Sequence, residues 1–212
     1  MDRQTKEREL AELRKRVAAL ETDLGIDAGM EPWRTEGYYT AYHATSGFLL
    51  GSIPALVSLL FNVVGSYLWK LMGASDQHPL KLIQVYLTFP MGEKALTLGN
   101  ELTLAIGCFL YIITGMFYGM IFQLFFSRFM PQATLLSRVL AGAVLGTVVW
   151  FVNFYLILSW LQPALLGGRW IVEMIPPWVA LLTHLVFGIT MALVSPWADF
   201  RPYVRITRQN AA

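Results

Sequence analysis

The sequence predicts an all-α membrane protein: a four-transmembrane-helix bundle with an N-terminal amphipathic or coiled-coil helix and an interfacial or re-entrant segment in its first outer loop. Three observations carry this prediction. Hydrophobic residues make up 56% of the 212-residue chain and charged residues only 14%, whereas soluble domains hold about 25% charged residues. Four stretches, 44–69, 102–127, 139–168 and 174–198, contain no Asp, Glu, Lys or Arg, and each holds the roughly 20 residues that a helix needs to cross a bilayer. No run alternates with period two, and an open sheet would leave its edge groups unpaired in lipid.

Residues 1–43 are expected to form a cytoplasmic helical arm and a juxtamembrane linker. Leu10, Leu13, Val17, Leu20 and Leu24 recur at 3-4-3-4 spacing among Arg, Lys and Glu, which is the a/d pattern of a coiled-coil seam. The seam lasts only about two heptads. It therefore fits pairing with a second helix, and equally an amphipathic helix lying on its own protein or on the membrane. The arm lacks the short apolar core of a secretory signal, so the first span is expected to direct insertion.

Polar and Pro/Gly punctuation trims the spans to about 46–69, 102–126, 139–161 and 177–198 within a domain of residues 44–198. Pro54 falls inside the first span, where it should kink the helix. Pro176 and Pro177 suit the first turn of the fourth, where a missing N–H costs nothing. The apolar stretch 80–89 in the first loop is too short to span. It is expected to lie over the bundle mouth as a lid, because irregular backbone survives at membrane depth only against protein or water. Residues 199–212 form a basic tail.

Lys and Arg set the expected orientation. Seven precede the first span (Arg3, Lys6, Arg8, Arg14, Lys15, Arg16, Arg34), two flank the second loop (Arg128, Arg138) and three lie in the tail (Arg201, Arg205, Arg208). The opposite side holds Lys70, Lys81, Lys94 and Arg169. Twelve against four places both ends in the cytoplasm of a bacterial-type inner membrane.

Each span carries a pair of small residues four apart: Gly47 and Gly51, Gly115 and Gly119, Gly142 and Gly146, Gly188 and Ala192. Such pairs let helix backbones approach closely, which matters where apolar side chains gain nothing by leaving lipid. Asn62, Asn153 and His184 share a level roughly 10 to 12 Å below the outer surface at 1.5 Å rise per residue, with Cys108 and Tyr111 close by. Mutual hydrogen bonding as interhelical glue is the economical expectation for them. A binding site of Asn62, Asn153, His184 and Tyr111 in a polar cavity of the outer half is the sharper one.

Several function classes lose ground. The basic residues form no dense stripe for nucleic acid. His184 is the only histidine within a span, so one chain lacks two axial imidazoles for haem, and no Cys/His cluster suggests a metal. No cofactor is expected. The spans lack ionisable Asp, Glu, Lys and Arg on which ion-coupled carriers commonly depend, and no carboxylate lies beside His184 to build a hydrolytic triad. Cys108 has no intrachain partner and reads as a packing residue.

In outline the chain resembles small four-span bacterial inner-membrane proteins, although no motif marks a named family. The first functional expectation is a non-enzymatic membrane subunit or scaffold. It would associate with itself or a larger membrane complex through the arm and the small-residue faces. The alternative is a small channel or carrier for an uncharged or lipidic solute, and a weaker third is an enzyme or redox subunit centred on His184.

Overall fold

The computed structural model describes residues 3–23, 36–72, 80–98 and 101–199, and all regular structure among them is helical. The chain divides into two compact units, Met1–Tyr39 and Thr40–Ala212.

The first unit holds helix α1, Arg3–Asp23. An i,i+4 ion pair between Arg16 Nη2 and Glu12 Oε1 at 3.2 Å lies on its exposed surface. Leu10, Leu13, Val17 and Leu20 are each about half exposed or more. Leu24, the last seam position, lies outside the described residues.

The second unit, which begins within α2 at Thr40, is a helical bundle. Helices α2 (Glu36–Leu50) and α3 (Ser52–Leu71) follow one another across Gly51, with Gly51 N–H bonded to the Gly47 carbonyl at 2.9 Å and Ala55 N–H to that of Gly51 at 3.2 Å. Pro54 has no N–H for the Leu50 carbonyl, so the regular ladder loosens here. Helix α4 (Lys81–Met91) ends at Gly92, whose φ of 66° takes it out of the helix, and a 3₁₀ turn, Gly92–Thr97, follows. Helix α5 is Glu101–Phe129.

Helix α6 (Leu135–Phe151) starts where the Thr134 hydroxyl accepts the Ser137 N–H at 3.3 Å, satisfying one of the orphan donors of its first turn. It continues through a π-helical turn, Val152–Ile157, into α7, Leu158–Leu166. Gly167, at φ 79°, stops that rod in the left-handed region that favours glycine. A short helix α8, Trp170–Met174, precedes α9, Pro177–Val194, which begins on Pro176 and Pro177 and ends in a 3₁₀ turn, Ser195–Ala198.

Among the described residues four segments are long and apolar enough to cross a membrane: Tyr39–Leu68, Glu101–Phe129, Leu135–Leu166 and Pro177–Ala198. The first starts before the 46–69 expected from sequence. The third outruns 139–161 at both ends, because the helix continues unbroken through the π turn.

The helices form an arc. α6 packs most extensively on α9, α9 on α3 and α3 on α5, while α5 and α6, the ends of the arc, meet sparsely. Backbone proximity explains the order. A Cβ on Gly119 would sit 2.5 Å from the Gly47 carbonyl oxygen, and one on Gly51 would sit 2.7 Å from that of Gly115. On the other side, Gly142 faces the Gly188 carbonyl and the Ala192 side chain, and a Cβ on Gly146 would lie 2.5 Å from the His184 carbonyl oxygen. The eight small residues thus fall into two contacts, α2/α3 with α5 and α6 with α9.

Two apolar clusters divide the bundle lengthwise. Phe122, Phe126, Met191, Ala192 and Val194 fill the glycine end. Leu59, Ile83, Leu87 and Ala95 fill the other, where Cys108 and Tyr111 pack on them. Helix α4 buries Ile83 and Leu87 against α5 over Gly107, whose absent Cβ would meet the Leu87 side chain at 2.9 Å. Outward faces are apolar: Leu60 and Val64 of α3, Phe109 and Phe117 of α5, Leu140 and Val144 of α6, and Leu193 of α9 are all exposed.

Candidate functional site

Between the two apolar clusters lies a cavity of about 480 Å³, within the range of small-molecule sites. Its walls come from α3, α4, α5, α6, the π turn, α8 and α9, and they include Asn62, Tyr111, Asn153 and His184. The structure therefore brings all four candidate residues to one cavity. Tyr86, Thr114, Tyr118 and Thr183 complete its polar part, and the rest is largely apolar and aromatic. No Asp, Glu, Lys or Arg lines it.

Asn62 is held by its own helix and by α9, Asn153 by α5, and His184 by its own helix. Asn62 is buried; its Nδ2 donates to the Ser58 carbonyl at 3.0 Å, one turn back on α3. Its Oδ1 accepts from the Thr183 hydroxyl of α9 at 2.9 Å. That hydroxyl is also 2.8 Å from the Val179 carbonyl, so two acceptors share one proton. The Tyr111 hydroxyl lies near the Asn62 side chain. Ser58 Oγ reaches the Thr183 carbonyl at 3.4 Å, a second polar tie between α3 and α9.

Asn153 stands in the π turn, and its Oδ1 accepts from the Tyr118 hydroxyl of α5 at 2.8 Å. Extra residues in a π turn are a frequent device for aiming a side chain at a functional site. Across the cavity the Tyr86 hydroxyl of α4 pairs with the Thr114 hydroxyl of α5 at 2.5 Å. His184 Nδ1 lies 2.8 Å from the Ala180 carbonyl. A carbonyl only accepts, so Nδ1 carries the hydrogen and the neutral ring keeps Nε2 as an acceptor.

The expected mutual bonding of Asn62, Asn153 and His184 is thus replaced. Asn62 pairs with Ser58 and Thr183, Asn153 with Tyr118, and His184 with the Ala180 carbonyl. A hydroxyl or backbone carbonyl one turn away is reached without moving a helix, whereas direct pairing would require the helices to close the space that the cavity occupies. Sequence reasoning missed Thr183, Tyr118, Thr114 and Tyr86. A signal was available only for Thr183, which shares the level of the three polar residues; Thr114 and Tyr118 lie deeper along their span and Tyr86 lies in the first loop.

Two further buried polar groups, Gln162 and Gln123, escaped notice, and a third, Arg138, is placed differently from expectation. Gln162 is fully buried: its Nε2 donates to the Thr88 hydroxyl of α4 at 2.9 Å, and its Oε1 accepts the Ile171 N–H of α8 at 3.1 Å. It pins α4 and α8 to the end of α7. Arg138, expected at the loop boundary, is instead buried at the glycine end. Its Nη2 lies 2.9 Å from Asp199 Oδ2 and its Nη1 3.2 Å from Oδ1, a bidentate pair, while Nη2 also donates to the Pro131 carbonyl at 3.3 Å. Beside it Gln123, also fully buried, reaches the Ser195 carbonyl at 3.4 Å. Arg138 and Asp199 flank opposite termini of α6 and α9, which the glycines press together, so their charges meet.

Among the described residues no group of three or more His, Cys, Asp or Glu side chains gathers to hold a metal ion. No family model, curated protein or solved structure matches the chain. The functional reading therefore stands on the geometry.

Proposed function

We propose that this protein is a multi-pass membrane protein that binds an uncharged, amphipathic, lipid-like molecule in the cavity, either holding it or passing it across the bilayer. The observation that carries the reading is the composition of the cavity wall. It is apolar and aromatic over most of its area, free of Asp, Glu, Lys and Arg, and furnished with amide, hydroxyl and imidazole groups. A charged ligand would be desolvated there without a counter-ion, at prohibitive cost. A chain or ring bearing one hydroxyl or carbonyl would bury its apolar part and match the His184 Nε2 acceptor or the Asn153 Nδ2 donor.

Outward apolar faces on all four long helices call for hydrocarbon as the surrounding solvent. The Lys and Arg bias assigns the glycine end to the cytoplasm and the α4 end to the outside of a bacterial-type inner membrane. In that frame α4 is the interfacial element over the cavity.

The test is extraction. The full chain, purified in mild detergent, is treated with organic solvent and the released molecules are identified by mass spectrometry. One neutral, hydroxyl- or carbonyl-bearing class at near-stoichiometric amount is expected, reduced in Asn153→Leu and His184→Leu variants of unchanged folded yield. Bulk phospholipid alone, in the same proportions from every variant, would overturn the reading.

A scaffold role remains the second reading, favoured by one observation: the apolar seam of α1 is exposed.

A further inference from the structure

We infer that α1 pairs with α1 of a second copy of this chain, in parallel, as a short two-stranded coiled coil. The inference is independent of the cavity and its ligand. Its first support is the seam. Leu10 and Val17 take a positions and Leu13 and Leu20 take d positions, and all four are exposed on the helix surface. Such a stripe has no reason to face water on a helix otherwise dense in charge. Of the two a positions only Val17 is β-branched, and that pairing of valine at a with leucine at d favours two strands over three or four.

The second support is charge, and it selects both the occupant and the direction. With Leu10 at a, the g positions of the helix hold Glu9, Arg16 and Asp23 and the e positions hold Glu7, Arg14 and Glu21. In a parallel pair each g residue faces the e residue five places on in the other chain. Glu9 then meets Arg14 and Arg16 meets Glu21, so both contacts are attractive and each occurs twice by symmetry. In the antiparallel arrangement with full overlap, g faces g and e faces e. Arg16 then meets Arg16 and Arg14 meets Arg14, both repulsive. The same helix is thus complementary to itself in one direction and self-repelling in the other, which a helix meant for a different partner has no need to be.

Length is the apparent obstacle, since about two heptads are marginal for association from dilute solution. Two copies held in one membrane project their arms from the same side, and that confinement raises the effective concentration of each arm for the other. The geometry that membrane anchoring favours is the parallel one.

The experiment uses the full chain in its membrane, with Cys108→Ser as background so that introduced thiols are the only ones. Leu20→Cys is expected to form a disulfide-linked dimer under mild oxidant. Leu13→Cys mixed with Val17→Cys should give far less of the mixed dimer than of the Leu13→Cys homodimer. Glu9→Lys should lower the Leu20→Cys cross-linked fraction by about fivefold, as two attractive contacts turn repulsive, and Glu9→Lys with Arg14→Glu should restore it. A dominant mixed 13–17 dimer would overturn the parallel arrangement. Cross-linking only to another protein, or a fraction indifferent to both charge changes at unchanged membrane yield, would overturn self-pairing.

Discussion

The Tyr118 hydroxyl donates to Asn153 Oδ1 across 2.8 Å, and in doing so bridges α5 to the π turn where the two ends of the helix arc meet sparsely. The bond closes by side chains a seam that backbone packing leaves open. Both residues also line the cavity, so the seam and the site share a wall.

Tyr118→Phe keeps the ring and removes the bond. Interhelical hydrogen bonds in membrane proteins average roughly 0.6 kcal/mol, so the thermal midpoint in detergent should fall only slightly. The exchange of a bound probe should quicken noticeably more than stability drops. A large loss of folded yield would show that the bond is structural first.

Glycines at the helix contacts and away from them should respond oppositely. Gly142→Leu places a side chain against the Gly188 backbone and should abolish folded yield, read as monodisperse elution from size exclusion. Gly65→Ala meets nothing within 4 Å and should be neutral or gain up to about 1 kcal/mol from helix propensity.

The Arg138–Asp199 pair should be expensive to halve. Breaking a fully buried pair from one side costs about 3–5 kcal/mol, an upper bound for this pair, whose carboxylate reaches the surface. The Asp199 side chain is 36% exposed, so Arg138→Leu, which leaves the carboxylate able to reach water, should cost less than Asp199→Leu, which strands the guanidinium. The double variant should be less destabilised than the sum of the two, measured as a thermal-shift cycle.

Orientation is checked by thiol labelling in intact cells, on the Cys108→Ser background. A cysteine at position 81 should react with a membrane-impermeant reagent, and one at 128 should react only after permeabilisation. The reverse pattern would turn the bundle over and move the cavity to the cytoplasmic half.

Much of the bundle was legible in the sequence because two of its determinants are local. Hydropathy over about twenty residues marks a helix that can span, and Gly47, Gly51, Gly142 and Gly146 mark its closest contacts in its own sequence. Asn62, Asn153 and His184 were legible as a level for the same reason, since rise along a helix is fixed. What stayed hidden depends on which helices are neighbours. Thr183 matters because α9 lies beside α3, Tyr118 because α5 faces the π turn, and Arg138 because Asp199 arrives beside it from sixty residues away. Hydropathy is silent on such choices.

The π turn also governs azimuth. On an uninterrupted α-helix the sixteen steps from Gly146 to Gln162 turn through about 160° beyond whole revolutions, which would aim the two residues to nearly opposite sides of the rod. One extra residue accommodated in a π turn removes about 100° of that difference and leaves about 60°. A single rod can therefore present glycine to α9 at one end and an amide to α4 and α8 at the other. Deleting one residue from this turn would let a regular α-helix of fifteen steps take its place and again leave about 60°, whereas closing the turn into α-helix at unchanged length would rotate Gln162 by about 100° away from Thr88 and Ile171, so the protein's tolerance to length here is set by angle and not by thickness.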